Sequence, residues 1–257
     1  MDLSDLGDSL ERPYLYQKFA YFGIYDGHSG GSCSKLLQHK LHAKFSQNPN
    51  FFSDQQKAAV ESCLATDEEV CTELREKDDD SGSTALFLVI DGRSKRFTVS
   101  NVGDSRCVLS RAGTAIELSK DHRVSRKDER ERVENSGGIV KKERLNGVLA
   151  VTRSFGDVAH KTSNGADSAL TAFPELRTEV ITERDELALL ATDGLWDVMD
   201  SQNAINVVRK SLNKHHKVKD AARELVKEAI KLGSVDNVSV VIVVFNQKVD
   251  GEESKGR

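Results

Sequence analysis

Basic charge, long apolar runs and closely spaced cysteines are scarce in this sequence, and each scarcity excludes something. Lys and Arg total 37 against 41 Asp and Glu, a formal net charge of −4. No strongly basic surface follows from that balance, so nucleic acid is not the expected partner. No stretch approaches the ~18 consecutive apolar residues of a membrane span. The N-terminus, M-D-L-S-D-L-G-D, lacks the basic and apolar regions of a secretory signal and has no glycine after Met1 to accept a myristoyl group. The 4 cysteines, Cys33, Cys63, Cys71 and Cys107, form neither a C-x-x-C pair nor a C-x-x-x-x-x-R phosphate loop. Buried reduced thiols in a cytoplasmic or nuclear protein are the expectation, with zinc or a disulfide as lesser readings.

What is present is an aspartate recurring at the edge of strand-like runs. Y-F-G-I-Y ends in Asp26-Gly27-His28, R-F-T-V-S-N-V-G in Asp104, and L-A-L-L-A-T in Asp193-Gly194, whereas Asp236-Asn237 precedes V-S-V-V-I-V-V-F. If the last strand runs antiparallel to the others, all four carboxylates gather at one sheet rim. Hard oxygens on rigid strands suit Mg²⁺ or Mn²⁺. Gly27 permits close backbone approach, so its carbonyl is a further candidate donor. Taken singly, an aspartate before glycine is an ordinary turn former. The metal reading rests on the repetition, and the aspartates alone would also suit a metal-dependent phosphodiesterase. Asp197, four residues past Asp193, can stay near the rim through one helical turn.

A length of 257 residues suits one large domain. Apolar runs at 20–25, 84–90, 96–102, 106–110, 187–192 and 238–245 predict strands. Cys33, Leu37, Leu41 and Phe45 share a helical face, as do Ala59, Cys63, Val70 and Leu74, and again Ala222, Leu225, Val226, Ala229 and Ile230. Asp200 or Ser201 caps a helix across 203–212. Grouped strands with helices set between the groups indicate α+β. The charged run 76–80 reads as a solvated loop and the small, polar stretch 158–172 as an exposed flap. A single domain over 1–248 and a polar tail over 249–257 are expected.

Eight blocks carry a family resemblance: Y-D-G-H-S-G-G (25–31), G-S-T-A (82–85), V-S-N-V-G-D-S-R (99–106), L-S-K-D-H (118–122), E-N-S-G-G-I-V (134–140), R-L-N-G-V-L-A-V-T-R-S-F-G-D (144–157), A-T-D-G-L-W-D-V-M (191–199) and S-V-D-N-V-S-V (234–240). In order and spacing the chain resembles the metal-dependent serine/threonine protein phosphatases of the 2C type. The resemblance implies a central sandwich of two antiparallel β-sheets flanked by α-helices, in four layers. It implies hydrolysis of phosphoserine and phosphothreonine in phosphoprotein substrates, in signalling, by a water activated between two Mg²⁺ or Mn²⁺ ions. Asp26 would bridge both ions, Gly27 would serve one, and Asp193 and Asp236 the other. Asp104 and Asp197 would hold a weaker third ion, with capping or hydrogen bonding to metal waters as the alternative.

The same resemblance assigns His28 as the general acid, a role that a near-neutral pKa suits; a surface or metal-supporting histidine is the alternative. His122 is expected to make a supporting hydrogen bond, and Arg153 and Asp157 to be structural. A monomer is expected.

The chain also departs from the family pattern. Family members carry an arginine followed by a Glu-Asp pair upstream of the D-G-H motif, for phosphate contact and metal binding. The 25 residues before Asp26 contain no such pair, and the one arginine, Arg12, follows the acidic residues. Asp2 and Asp5 are candidate substitutes for one acidic ligand, with exposed N-terminal acids as the plainer reading. Either the first strand is missing from this chain, or the chain is a natural variant with weakened metal and phosphate binding. The alternative function is accordingly a catalytically weak, phosphatase-like binding or regulatory module.

Overall fold

The computed structural model describes residues 18–161 and 167–245. Asp2, Asp5, Arg12 and the expected tail lie outside the described residues. The chain divides into two compact units that alternate along the sequence. β1 (Phe19–Ile24), β2 (Gly27–His28), α1 (Ser32–Gln47), α2 (Gln55–Glu76), β3 (Gly82–Ser83), β4 (Ala85–Asp91) and β5 (Arg96–Val102) open the first unit. β6 (Arg106–Arg111) and β7 (Thr114–Glu117) belong to the second. α3 (Lys127–Asn135), β8 (Val140–Lys141), β9 (Arg144–Leu145), β10 (Phe155–Gly156) and β11 (Glu175–Val180) return to the first. β12 (Asp185–Ala191), α4 (Asp193–Trp196), α5 (Ser201–His215), α6 (Val218–Lys231) and β13 (Val240–Val244) complete the second.

The first unit is built on a sheet in the order β1-β4-β5-β11, antiparallel throughout. Alternate residues of β4, Ala85, Phe87 and Val89, join Leu37, Leu41 and Phe45 of α1 and Ala59, Cys63, Val70 and Leu74 of α2 in one core. The predicted faces of these two helices are therefore the buried ones. Leu86 and Leu88, on the other face of β4, are buried as well, which is why the run reads as continuously apolar rather than alternating. α2 starts where Asp54 accepts a hydrogen bond from the Lys57 amide at 3.0 Å, satisfying one orphan donor of the first turn.

The second unit repeats the scheme with the order β13-β12-β6-β7, also antiparallel. Leu187, Leu189 and Ala191 of β12 pack with Ala204, Ile205 and Val208 of α5 and with Ala221, Leu225 and Ala229 of α6. Asp200 is the N-cap of α5, accepting from the Asn203 amide at 2.8 Å, and the helix extends past 212 to His215, where His216 closes it in a left-handed conformation. On α6 the buried stripe is Ala221, Leu225 and Ala229. Ala222 is only partly buried and Ile230 is 59% exposed, because the i, i+4 stripe through Leu225 leaves the following residue about 100° off the face.

Antiparallel sheets each covered by two helices match the α+β expectation. β11, E-L-R-T-E-V, escaped sequence reading because it is a partly exposed edge strand of polar composition. The exposed flap expected at 158–172 needs correction at both ends. Lys161, Ser168, Leu170, Thr171 and Ala172 are buried, and Arg132 donates to the carbonyls of Ser168 and Ala169. All four cysteines are buried, and none forms a disulfide. Among the described residues no helix is long and apolar enough to cross a membrane.

Candidate active site

In the first unit, β1 and β5 both run antiparallel to β4 and so point the same way. Asp26 and Asp104, just past their ends, therefore lie at one rim, where β4 begins. Hydrogen bonds stitch that rim together. The Thr84 amide donates to the Asp26 carbonyl at 2.8 Å, and the Asp26 amide donates to Thr84 Oγ1 at 3.2 Å. Thr84 Oγ1 also lies 3.0 Å from Ser105 Oγ. Backbone hydrogen bonds on both sides of Asp26 leave its half-buried carboxylate on a rigid base.

His28 pairs with Gly82 across β2 and β3, and its Nε2 lies 2.8 and 2.9 Å from the two oxygens of Asp157. The histidine side chain is 32% exposed and the aspartate 2%, so a buried carboxylate holds a ring that still reaches solvent. Gly82 makes the pairing sterically possible: a Cβ there would sit 2.2 Å from Asp157 Oδ2 and 2.3 Å from His28 Nε2. Burial works against charging His28, but the Asp157 hydrogen bond and the Asp157, Asp104 and Asp26 carboxylates outweigh it, and the pKa is raised. The structural role expected of Asp157 thus becomes a partnership with the candidate acid. Sequence reading had only the F-G-D block to find it by, 129 residues from His28.

Asp104 is 4% exposed, and its Oδ2 accepts from Arg123 Nε at 2.9 Å. Burial lifts its pKa despite that partner. Behind it, His122 accepts the Gly103 amide at Nδ1 (3.1 Å) and places Nε2 3.2 Å from Glu175, which assigns a neutral ring with its proton on Nε2. Burial lowers the His122 pKa accordingly. The supporting hydrogen bond expected of His122 is present. Arg153 binds Glu129 and the Phe173 carbonyl, the contacts of a structural residue.

The second unit has a rim of its own. The β12–β13 pairing ends at Ala191 and Val240, which brings Asp193 and the 236–237 segment to the same end. The Thr192 amide donates to the Ser239 carbonyl at 3.2 Å, Thr192 Oγ1 donates to the Asn237 carbonyl at 3.1 Å, and Ser234 Oγ donates to the Gly194 carbonyl at 2.6 Å. A Cβ on Gly194 would approach the Asn237 oxygen to 2.3 Å, so only glycine allows this closeness. Asp193 opens α4 half-buried, Asp236 is exposed, and Asp197 is exposed one turn on, its amide donating to the Asp193 carbonyl at 2.8 Å.

These donors are hard oxygens on pinned backbone, the chemistry that Mg²⁺ and Mn²⁺ take, and in that respect the residues fit such ions. Among the described residues no group of three or more His, Cys, Asp or Glu side chains is placed to hold a metal ion. Thiolate chemistry fits poorly, since burial pushes Cys71 up to about 11 and Cys63 to about 12.

Solved structures share this fold. A structure described as serine-threonine phosphatase 2C from Toxoplasma gondii superposes with a TM-score of 0.77 at 21% identity, covering 90% of this chain and 86% of that one. A C. elegans sex-determining protein superposes with the same TM-score at 28% identity, over 90% of this chain and 59% of its own. The fold is thus one found in phosphatases. A family model described as Protein phosphatase 2C matches residues 6–238, and the chain belongs to that family. A probable protein phosphatase 2C 69 of Arabidopsis thaliana is 39% identical over 91% of the chain, and a probable protein phosphatase 2C 2 of Oryza sativa subsp. japonica is 36% identical over 90%. The chain spans 63% of the length of each of these relatives.

Proposed function

We propose that this chain hydrolyses phosphoserine and phosphothreonine in proteins with the help of two divalent cations, Mg²⁺ or Mn²⁺. The observation that carries the reading is His28, held by a buried carboxylate two residues beyond Asp26, in a chain of the protein phosphatase 2C family. Asp26, the Gly27 carbonyl, Asp193 and Asp236 are the residues proposed to hold the cations. When bound, such ions supply charge neutralisation for phosphoryl oxygens and a lowered pKa for an attacking water.

The protein's own contribution is positional and acid–base. Thr84 and the β2–β3 pairing keep the Asp26–His28 segment from shifting. Asp157 holds the Nε2 proton of His28, so in the charged ring the transferable proton sits on Nδ1. From there it can pass to the departing serine or threonine oxygen, whose alkoxide leaves poorly without it. Asp197 remains a candidate ligand for a weaker third cation. Asp104 is engaged by Arg123, so we assign it to holding the rim. The substrates are taken to be cytoplasmic or nuclear phosphoproteins.

The test is phosphate release from a phosphothreonine peptide with Mn²⁺ or Mg²⁺ and again with a chelator. Release should depend on the cation, and equal rates in both conditions would sink the two-cation reading.

A further inference from the structure

The first unit contains a buried ion pair between Lys161 and Asp67. Lys161 Nζ lies 2.6 Å from each oxygen of Asp67, and their side chains are 1% and 3% exposed. Burying two charges seldom adds net stability over an apolar pair of equal volume. The use of this pair is better read from what else it touches. Asp67 Oδ1 also accepts the Gly156 amide at 3.0 Å, and Lys161 Nζ donates to the Ser154 carbonyl at 2.9 Å. Both bonds grip the turn that carries Asp157.

That turn needs gripping. Gly156 and Asp157 take left-handed φ values of 70° and 52° in succession, and the second is a conformation that a side-chain-bearing residue rarely adopts. Gly156 is wedged: a Cβ would meet the Ser81 carbonyl at 2.4 Å and Cys33 Sγ at 2.9 Å. Ser154, whose carbonyl Lys161 holds, donates from Oγ to Asp157 Oδ2 at 2.5 Å. A continuous path thus runs from the middle of α2 through Gly156 and Ser154 to Asp157 and on to His28 Nε2.

We propose that Asp67 is a positioning residue for His28, with Lys161 as the buried countercharge that allows its carboxylate to sit there. The acceptor that Asp67 offers the Gly156 amide sets the 154–157 turn, and the turn sets the Asp157 carboxylate against the ring. The catalytic meaning of this placement rests on the acid role proposed for His28 above; the placement itself does not.

Two double variants separate positioning from packing. D67L/K161M keeps the volume but removes the acceptor for the Gly156 amide, whereas D67N/K161M removes the charges and keeps an acceptor oxygen. Ring ¹H–¹⁵N spectra of the full chain, with His28 identified through H28Q, report the Nε2–H held by Asp157. That resonance should vanish in D67L/K161M and persist in D67N/K161M. In the former, kcat on a phosphoserine peptide should also fall by roughly tenfold, part of what acid catalysis supplies, with little change on an aryl phosphate. A resonance unchanged in D67L/K161M overturns the proposal, as does its loss in both variants in proportion to a lowered thermal midpoint. If the resonance behaves as expected but both substrates slow equally, the positioning stands and the acid assignment fails. Should D67L/K161M not fold, D67S/K161M, whose short hydroxyl does not reach Gly156, carries the same expectation and the same overturning result.

Discussion

His28 and Asp157 meet because a glycine stands between them. With Gly82 opposite His28 in the β2–β3 pairing, nothing occupies the space that the Asp157 carboxylate enters. The D-G-H block pointed to His28, and G-S-T-A and F-G-D each named a member of this trio, but neither block said that they touch. If His28 is the acid, His28→Ala should cut kcat on a phosphoserine peptide by ~10²–10⁴-fold, the usual range for a positioned proton donor. The loss on an aryl phosphate should be far smaller, since phenolate, with a parent pKa near ~10, leaves with less help. Asp157→Asn should shift the same ratio in the same direction by a smaller factor. The check is steady-state kinetics on both substrates. Equal losses that added Mn²⁺ restores would make His28 a support for the cation site instead.

At the scale of elements, strand direction does most of the arranging. β1 and β5 are set parallel to each other by the β4 between them, and β13 runs against β12, so each unit brings two of the strand-edge aspartates to one rim. The sequence showed where the strands end, and the antiparallel order of the last strand was the condition on which the rim reading depended. The last strand is antiparallel to β12, but one rim for all four needs correction, since the two pairs of aspartates border two different sheets. In the second unit the Asp193 and Asp236 segments meet through a contact only glycine permits. Gly194→Ala would drive a Cβ into the Asn237 carbonyl, separating the segments that carry Asp193 and Asp236. Overpacking against backbone costs ~1–3 kcal/mol, so a lower thermal midpoint is expected together with a higher Mn²⁺ concentration for half-maximal activity. A variant with the wild-type midpoint and wild-type Mn²⁺ titration would show that the close approach is dispensable.

For the whole molecule, cation binding should register as stability, because a ligand that binds only the folded chain stabilises it by mass action. At a concentration ~100 times the dissociation constant the gain is ~2.7 kcal/mol. Thermal unfolding followed with and without Mn²⁺ should therefore show a raised midpoint, independent of any substrate. Asp193→Asn should reduce that shift and His28→Ala should leave it intact. A midpoint indifferent to Mn²⁺ in the unaltered chain would count against these carboxylates as its ligands. Together with the two kinetic ratios, this measurement separates cation binding from proton transfer.

The strand-edge aspartates, the helix faces of α1 and α2, the Asp200 cap and the family blocks were all readable along the chain. Each is local, since periodicity, capping and turn chemistry act over a few residues. The α6 face was misjudged by one residue and β11 was missed, because partial burial blurs the pattern that such reading relies on. What only the tertiary structure decided is which distant groups share a hydrogen bond: Asp157 with His28 across 129 residues, and Lys161 with Asp67 across 94. No period or spacing encodes those pairings. They follow from how β2, β3 and β10 are laid side by side and how α2 is packed against the turn at 154–157, and a buried charge can be tolerated there only because that packing delivers its partner.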